Sequence, residues 1–197
     1  MEAWNSESRM KTIESRGARL TREAWLQYAL QVLRLEGLQG MRIDRMASDL
    51  GVTKGSFYWH FEDLKDLQGS VMNHWRDRYN NIIIENREFL DAEPAVGLLS
   101  AVTRIREEGL DEYEVAIRNW ASHDPHVEEV VRVVYEKRKK FVRSFFTRLG
   151  FRGMDAEIRT RLTLCYMSWE PSIYQEDSKS HRVKMLKSVH ELLTKKQ

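Results

Sequence analysis

RIDRMASDLGVTKGSFYWHF, residues 42–61, holds two short helical patterns separated by a turn. Met46, Ala47 and Leu50 give the first, from about Ile43 to Leu50, one apolar face. Ala47 is small and lets a second helix cross close by. Gly51 permits the tight turn between them, and Val52 plugs the space that the turn leaves. Thr53 can cap the second helix, which runs to about His60. In it Phe57 and Phe61, four apart, point into a core. Thr53, Lys54, Gly55, Ser56, Tyr58, Trp59 and His60 are then left facing outward.

Upstream, Thr21 is a good N-cap, and REAWLQYALQVLRLE places Leu26, Ala29, Leu30 and Leu33 at helical spacing. Gly37 ends that helix. Residues 1–19 lack hydrophobic periodicity and read as a flexible tail. Its Arg9, Lys11, Arg16 and Arg19 also suit a basic arm reaching along phosphates or into a groove. Downstream, Asp63 and Asp66 resemble a capping box opening one long helix over 64–89, with Leu67, Val71, His74 and Trp75 on one face. Pro94 marks a boundary. Further helices are expected over about 94–108, 111–121, 125–148, 155–172 and 180–194. The Asp124–Pro125 pair is a strong helix start.

The 197 residues include only 10 Gly and 3 Pro, and 42% are hydrophobic, so turn punctuation is sparse and a real core is affordable. No segment alternates with period two for long enough to make a strand. The fold class is therefore all-α: a three-helix N-terminal unit over 20–66, then a helical unit over 67–197. The net charge of +2 is low for a nucleic-acid binder, so distribution must carry that argument. One cysteine, Cys165, excludes an internal disulfide. With no signal-type N-terminus and no apolar run of bilayer length, a cytoplasmic location is expected and no membrane partner.

The outward face of 53–60 has the chemistry of a DNA reader. Lys54 offers a cation to a guanine edge or a phosphate, Thr53 and Ser56 offer hydroxyls, and Tyr58 and His60 are phosphate donors. Gly55 lets the helix start approach the DNA backbone. The stretch LGVTKGSFYWHFEDLKDL, residues 50–67, resembles the helix-turn-helix of TetR/AcrR-family regulators, and the resemblance runs from about Thr21 to Leu67. Two positions depart from that family's usual pattern. Arg42 stands where a capping Thr or Ser is usual and can reach a phosphate instead. Leu64 stands where a phosphate-binding Lys is common, with Lys65 next to it.

The resemblance implies a homodimer whose last two helices pair across a two-fold axis, giving two reading heads for a palindromic operator. Ile158, Leu162 and Cys165, then Val183, Leu186, Val189 and Leu193, are the candidates for that interface, competing with the protomer's own core. It also implies a small-molecule effector among the middle helices, acting most often on a repressor. Met72, Trp75, Tyr113, Trp120, His123, Tyr166 and Trp169 are candidate lining residues for an apolar or aromatic compound, or else ordinary core. Among rival readings, His123, Asp124, His126 and Glu128 lie together as metal ligands might, but helix-start chemistry accounts for three of the four. No phosphate loop or nucleophile elbow is present, so neither a cofactor nor a catalytic role is expected. A protein-interaction module that keeps the helix-turn-helix shape without reading DNA should lack Lys54, Ser56, Tyr58 and His60 together.

Overall fold

Thr21 opens the first helix by accepting the Ala24 N–H on its hydroxyl at 3.2 Å. The computed structural model describes residues 20–196, all of whose regular structure is helical; the readings of 1–19 as a tail or basic arm lie outside the described residues. Helix α1 (Arg22–Glu36) buries Trp25, Ala29, Leu30 and Leu33 and ends at Gly37, φ +73°, where only glycine is unstrained. A single 3-10 turn (Leu38–Gly40) leads to α2 (Ile43–Asp49) and α3 (Lys54–Tyr58).

Asp63 caps α4 (Leu64–Arg76) by accepting the Asp66 N–H at 2.8 Å, and Asp66 accepts the Glu62 N–H at 3.0 Å. These are the reciprocal bonds of a capping box, displaced by one residue. The single long helix expected over 64–89 is broken. After Arg76 the chain winds as a π-helical turn (Asp77–Asn81), followed by α5 (Ile82–Ile84) and α6 (Arg87–Asp91). Asn86 accepts the Glu88 N–H at 2.9 Å and starts a fresh helix, while three consecutive β-branched residues, Ile82–Ile84, weaken the old one.

The remaining helices are α7 (Pro94–Glu107), α8 (Glu114–Ala121), α9 (Pro125–Arg148), α10 (Gly153–Ile173) and α11 (Lys179–Thr194). Asp124 caps α9 through the His126 and Val127 N–H groups, at 2.9 and 3.3 Å. His123 turns back instead to the Asn119 carbonyl at 2.9 Å, so these residues serve helix ends. Gly97 on α7 is a packing glycine: a Cβ there would meet the Phe89 carbonyl oxygen at 2.2 Å.

Two apolar cores result. The first joins α1 to α4 with Ile117, Trp120, Val127 and Val134. The second holds Ile83, Phe89, Leu98, Phe145, Phe146, Met167 and Leu186. Helix α4 and the first half of α9 belong to the same core as the helix-turn-helix. Phe57 is fully buried at its centre, edge-on to Trp25 at 5.5 Å and beside Phe61 at 5.4 Å. Phe57→Ala is therefore expected to cost about 3–5 kcal/mol, read as a lower urea midpoint.

Candidate functional site

The turn between α2 and α3 is a complete Schellman closure. The Val52 N–H donates to the Ala47 carbonyl at 2.9 Å and the Gly51 N–H to the Ser48 carbonyl at 3.1 Å, with Gly51 at φ +68°. This closure sets the direction in which α3 leaves the turn, and burial of Phe57 sets its rotation. Thr53, Lys54, Gly55, Tyr58 and Trp59 are consequently exposed, Tyr58 by 57% and Trp59 by 67%. Ser56 is half-buried beside them. Arg42, at the start of α2, and Lys65, in the first turn of α4, are exposed on the flanks. Arg42 makes no side-chain capping bond.

Three readings of this face change. The second helix stops at Tyr58, two residues early, because Trp59–Phe61 close as a tight turn onto Gly55 and Phe57. Five residues sum to a weak dipole, so attraction for phosphate rests on side chains. Thr53 makes no capping bond. His60 turns inward: its Nε2 donates to the Leu20 carbonyl at 2.7 Å and pins the entrance of α1, which takes that nitrogen away from DNA. Lys54 is exposed but paired with Asp44 at 2.7 Å, and this hydrogen bond raises its pKa.

A buttress behind the face escaped the sequence reading. The Tyr28 hydroxyl donates to Asp49 at 2.7 Å, and Arg45 bridges Glu36, at 2.7 Å, with Asp49, at 3.6 Å. It ties α2 to α1. Only the Arg45–Asp49 spacing of four residues hinted at it.

Between the two cores runs a layer of buried charge. Arg106 is paired with Glu170, which also holds Arg182 at 3.3 Å. Arg138 pairs with Glu114 at 2.6 Å. Burial alone would push the Glu114 carboxyl up, but Arg138 and the Tyr135 hydroxyl outweigh it and hold the group below the usual range. Asp111 is 5% exposed, and burial pushes its carboxyl up to about 6 despite Arg106 at 3.1 Å. Beside this layer lies a cavity of about 60 Å³ lined by Ile83 and Ile84, by Val102 and Ile105 of α7, by Phe141 of α9 and by Leu164 of α10. Asp111 and Ser168 also face a wide groove of about 850 Å³ between the C-terminal end of α1 and α8 and α10.

None of the seven candidate lining residues borders that cavity. Met72, Trp75 and Trp120 fill the first core, with Tyr113 packed against it. Tyr166 packs on the second core. Trp120 and His123 border the open groove, and Trp169 lies half-exposed under the Arg118 guanidinium at 5.2 Å. The dimer candidates divide. Ile158, Leu162 and Cys165 form an exposed stripe on α10, continued by Met154, Trp169 and Ile173. Leu186 and Leu193 are buried in the protomer's own second core, and Val183 and Val189 are half-buried, so the outer face of α11 is that of Met185 and Leu192.

No family model matches the chain. It is 25% identical over 95 residues to the transcriptional regulator AcrR of Shigella flexneri, covering 48% of this chain and 44% of that protein. It is 34% identical over 74 residues to the transcriptional repressor BepR of Brucella suis, covering 38% and 35%. The matches thus span less than half of these relatives. Solved structures match more fully. The TetR-family regulator PfmR of Thermus thermophilus superposes with a TM-score of 0.67 at 15% identity, over 86% of this chain and 96% of that one. AibR, solved with isovaleryl coenzyme A and operator DNA, gives 0.64 at 16%, over 84% and 96%. The chain has the all-α fold of the TetR-family transcriptional regulators and resembles AcrR and BepR in sequence.

Proposed function

We propose that this chain is a homodimeric, ligand-responsive transcriptional repressor of the cytoplasm that reads a palindromic operator through α3. The observation that carries the reading is the exposed cluster of Thr53, Lys54, Gly55, Tyr58 and Trp59 on a helix held by the buried Phe57. The similarity to AcrR and BepR supports the regulatory role, and BepR is named a repressor. The Lys54–Asp44 pair does not oppose this role. Both groups are well exposed, such pairs are weak, and a phosphate can take the lysine over. Arg42 and Lys65 would hold the backbone on either side.

The apolar stripe of α10 supports a dimer. Met154, Ile158, Leu162 and Ile173 are between 48% and 72% exposed, with Leu192 of α11 at 72%. A stripe of that length is costly in water and self-complementary about a two-fold axis. The small aliphatic cavity supports an effector, and its lining favours an aliphatic over an aromatic group. AibR, of like fold, was crystallised with both an acyl thioester and DNA.

Selection of bound genomic fragments is expected to return an inverted repeat; fragments without one would reject the operator reading. On that repeat, Lys54→Ala should flatten the salt dependence of binding by about two units of slope per dimer, one for each half-site. Tyr58→Phe should weaken binding about tenfold through one hydrogen bond lost per half-site. Both variants should keep full helicity. Leu162→Glu should yield monomers in sedimentation with unchanged circular dichroism, and a dimer that survived it would place the interface elsewhere.

A further inference from the structure

We infer that the cavity beneath α5 and α7 is a site for a short, branched aliphatic amine, its hydrocarbon end among the aliphatic side chains and its N–H groups on Asp111. The inference deepens the effector reading above and rests on it for its regulatory meaning.

Size comes first. A volume of about 60 Å³ holds roughly four or five non-hydrogen atoms. That suits a branched chain of four carbons with its head group and is too small for a ring system. The walls are aliphatic or phenyl apart from one polar end. Hydrocarbon is therefore what the cavity accepts, and the polar end decides the head group.

At that end the polar groups are nearly all engaged. Glu114 accepts from Arg138 and Tyr135. The Thr163 hydroxyl donates to the Arg159 carbonyl at 2.9 Å, and Ser168 is engaged with Tyr135. Asp111 is the exception. Its side chain is 4% exposed, and beyond its own backbone N–H its carboxylate oxygens have no hydrogen-bond partner. Arg106 stands 3.1 Å from one of them, but its guanidinium bonds to Glu170. A buried carboxylate accepts several donors, and leaving it without them is costly. An ammonium group brings three donors and the opposite charge. A carboxylate ligand would meet Asp111 as a like charge and find the nearby guanidiniums already paired, and an alcohol brings one donor and no charge.

The same place is suited to control. Asp111 borders both the cavity and the open groove, which gives a small amine a way in. Ile83 and Ile84 line the cavity just beyond the π-helical turn, and that turn leads into α4, whose Leu67, Val71 and Trp75 carry the first core.

Three compounds with one carbon skeleton test the inference: 2-methylpropylamine, 2-methylpropan-1-ol and 2-methylpropanoate, titrated calorimetrically into the DNA-free full chain near neutral pH. The amine is expected to bind once per protomer and at least about tenfold more tightly than either of the others. Asp111→Asn should bring it down to the level of the alcohol. Ile84→Phe, which fills the cavity without touching the charges, should abolish its binding and serves as the control if the Asn variant fails to fold. Equal or tighter binding of the alcohol or the carboxylate overturns the inference. So does the absence of heat with all three, which would leave water as the partner of Asp111. Operator binding is measured separately by fluorescence anisotropy. A chain that binds DNA but no amine refutes only this site, and a chain that binds the amine but no DNA refutes the repressor reading.

Discussion

Burial of Phe57 is the constraint on which the reading face depends. A helix of five residues is far too short to hold itself in water. Its existence and its rotation come from the ring that it drives between Trp25 and Phe61. Once that ring is placed, the positions on either side of it have no choice of direction, and Lys54, Gly55, Tyr58 and Trp59 face solvent. The Schellman turn at Gly51 and the Tyr28–Asp49–Arg45–Glu36 buttress hold α2 firmly enough for α3 to be positioned against it. The direction of this exposed face is thus a packing result first and a hydrogen-bonding result second.

The helix-turn-helix is not an independent module. Its core extends along α4 to Trp75 and takes in Val127 and Val134 from α9, while the far half of α9 supplies Phe141, Phe145 and Phe146 to the second core. One 24-residue helix, about 36 Å long, therefore belongs to both. In the layer of charge between the cores Glu114 and Glu170 accept hydrogen bonds from arginines, while Asp111 has Arg106 at 3.1 Å without one. Buried pairs of this kind contribute little net stability compared with apolar packing, yet losing one partner is severe. Such a layer fixes how the two cores sit against each other.

The parts of this fold governed by local chemistry were legible in the sequence. Thr21, Gly37, Asp63 and Asp124 each act at the helix end that their type predicts, because a cap depends on three or four neighbouring residues alone. The burial of Phe57 and Phe61 followed from their spacing. What the sequence did not display depends on residues distant in sequence. His60 looked like a surface donor because its partner, the Leu20 carbonyl, lies 40 residues away. Leu186 and Leu193 share an apolar face with Val183 and Val189, and no periodicity tells which of two partners an apolar face meets. The large aromatics were candidates for a pocket or for core, and Met72, Trp75 and Trp120 fill the first core. The void lies where smaller aliphatic residues from four separate elements meet, a convergence that no single segment displays.

The break in the long helix changes how movement near the cavity can reach α3. A continuous helix over 64–89 would act as a rod, tilting the helix-turn-helix about its middle. Here α4 ends at Arg76, and a π-helical turn separates it from Ile83 and Ile84. Such a turn can absorb a shift, so transmission needs a second link across it. Glu23 of α1 supplies one, lying 3.5 Å from His74 before the joint and 3.2 Å from Arg78 within it. Arg22 adds a bond to Ser70 on α4 at 2.5 Å and stacks on Phe61 at 4.9 Å. Through these contacts α1 as well as α4 touches the turn that leads to α5. Since α1 carries the buttress of α2 and the Trp25 wall of the Phe57 pocket, they join that turn to the place where the rotation of α3 is set.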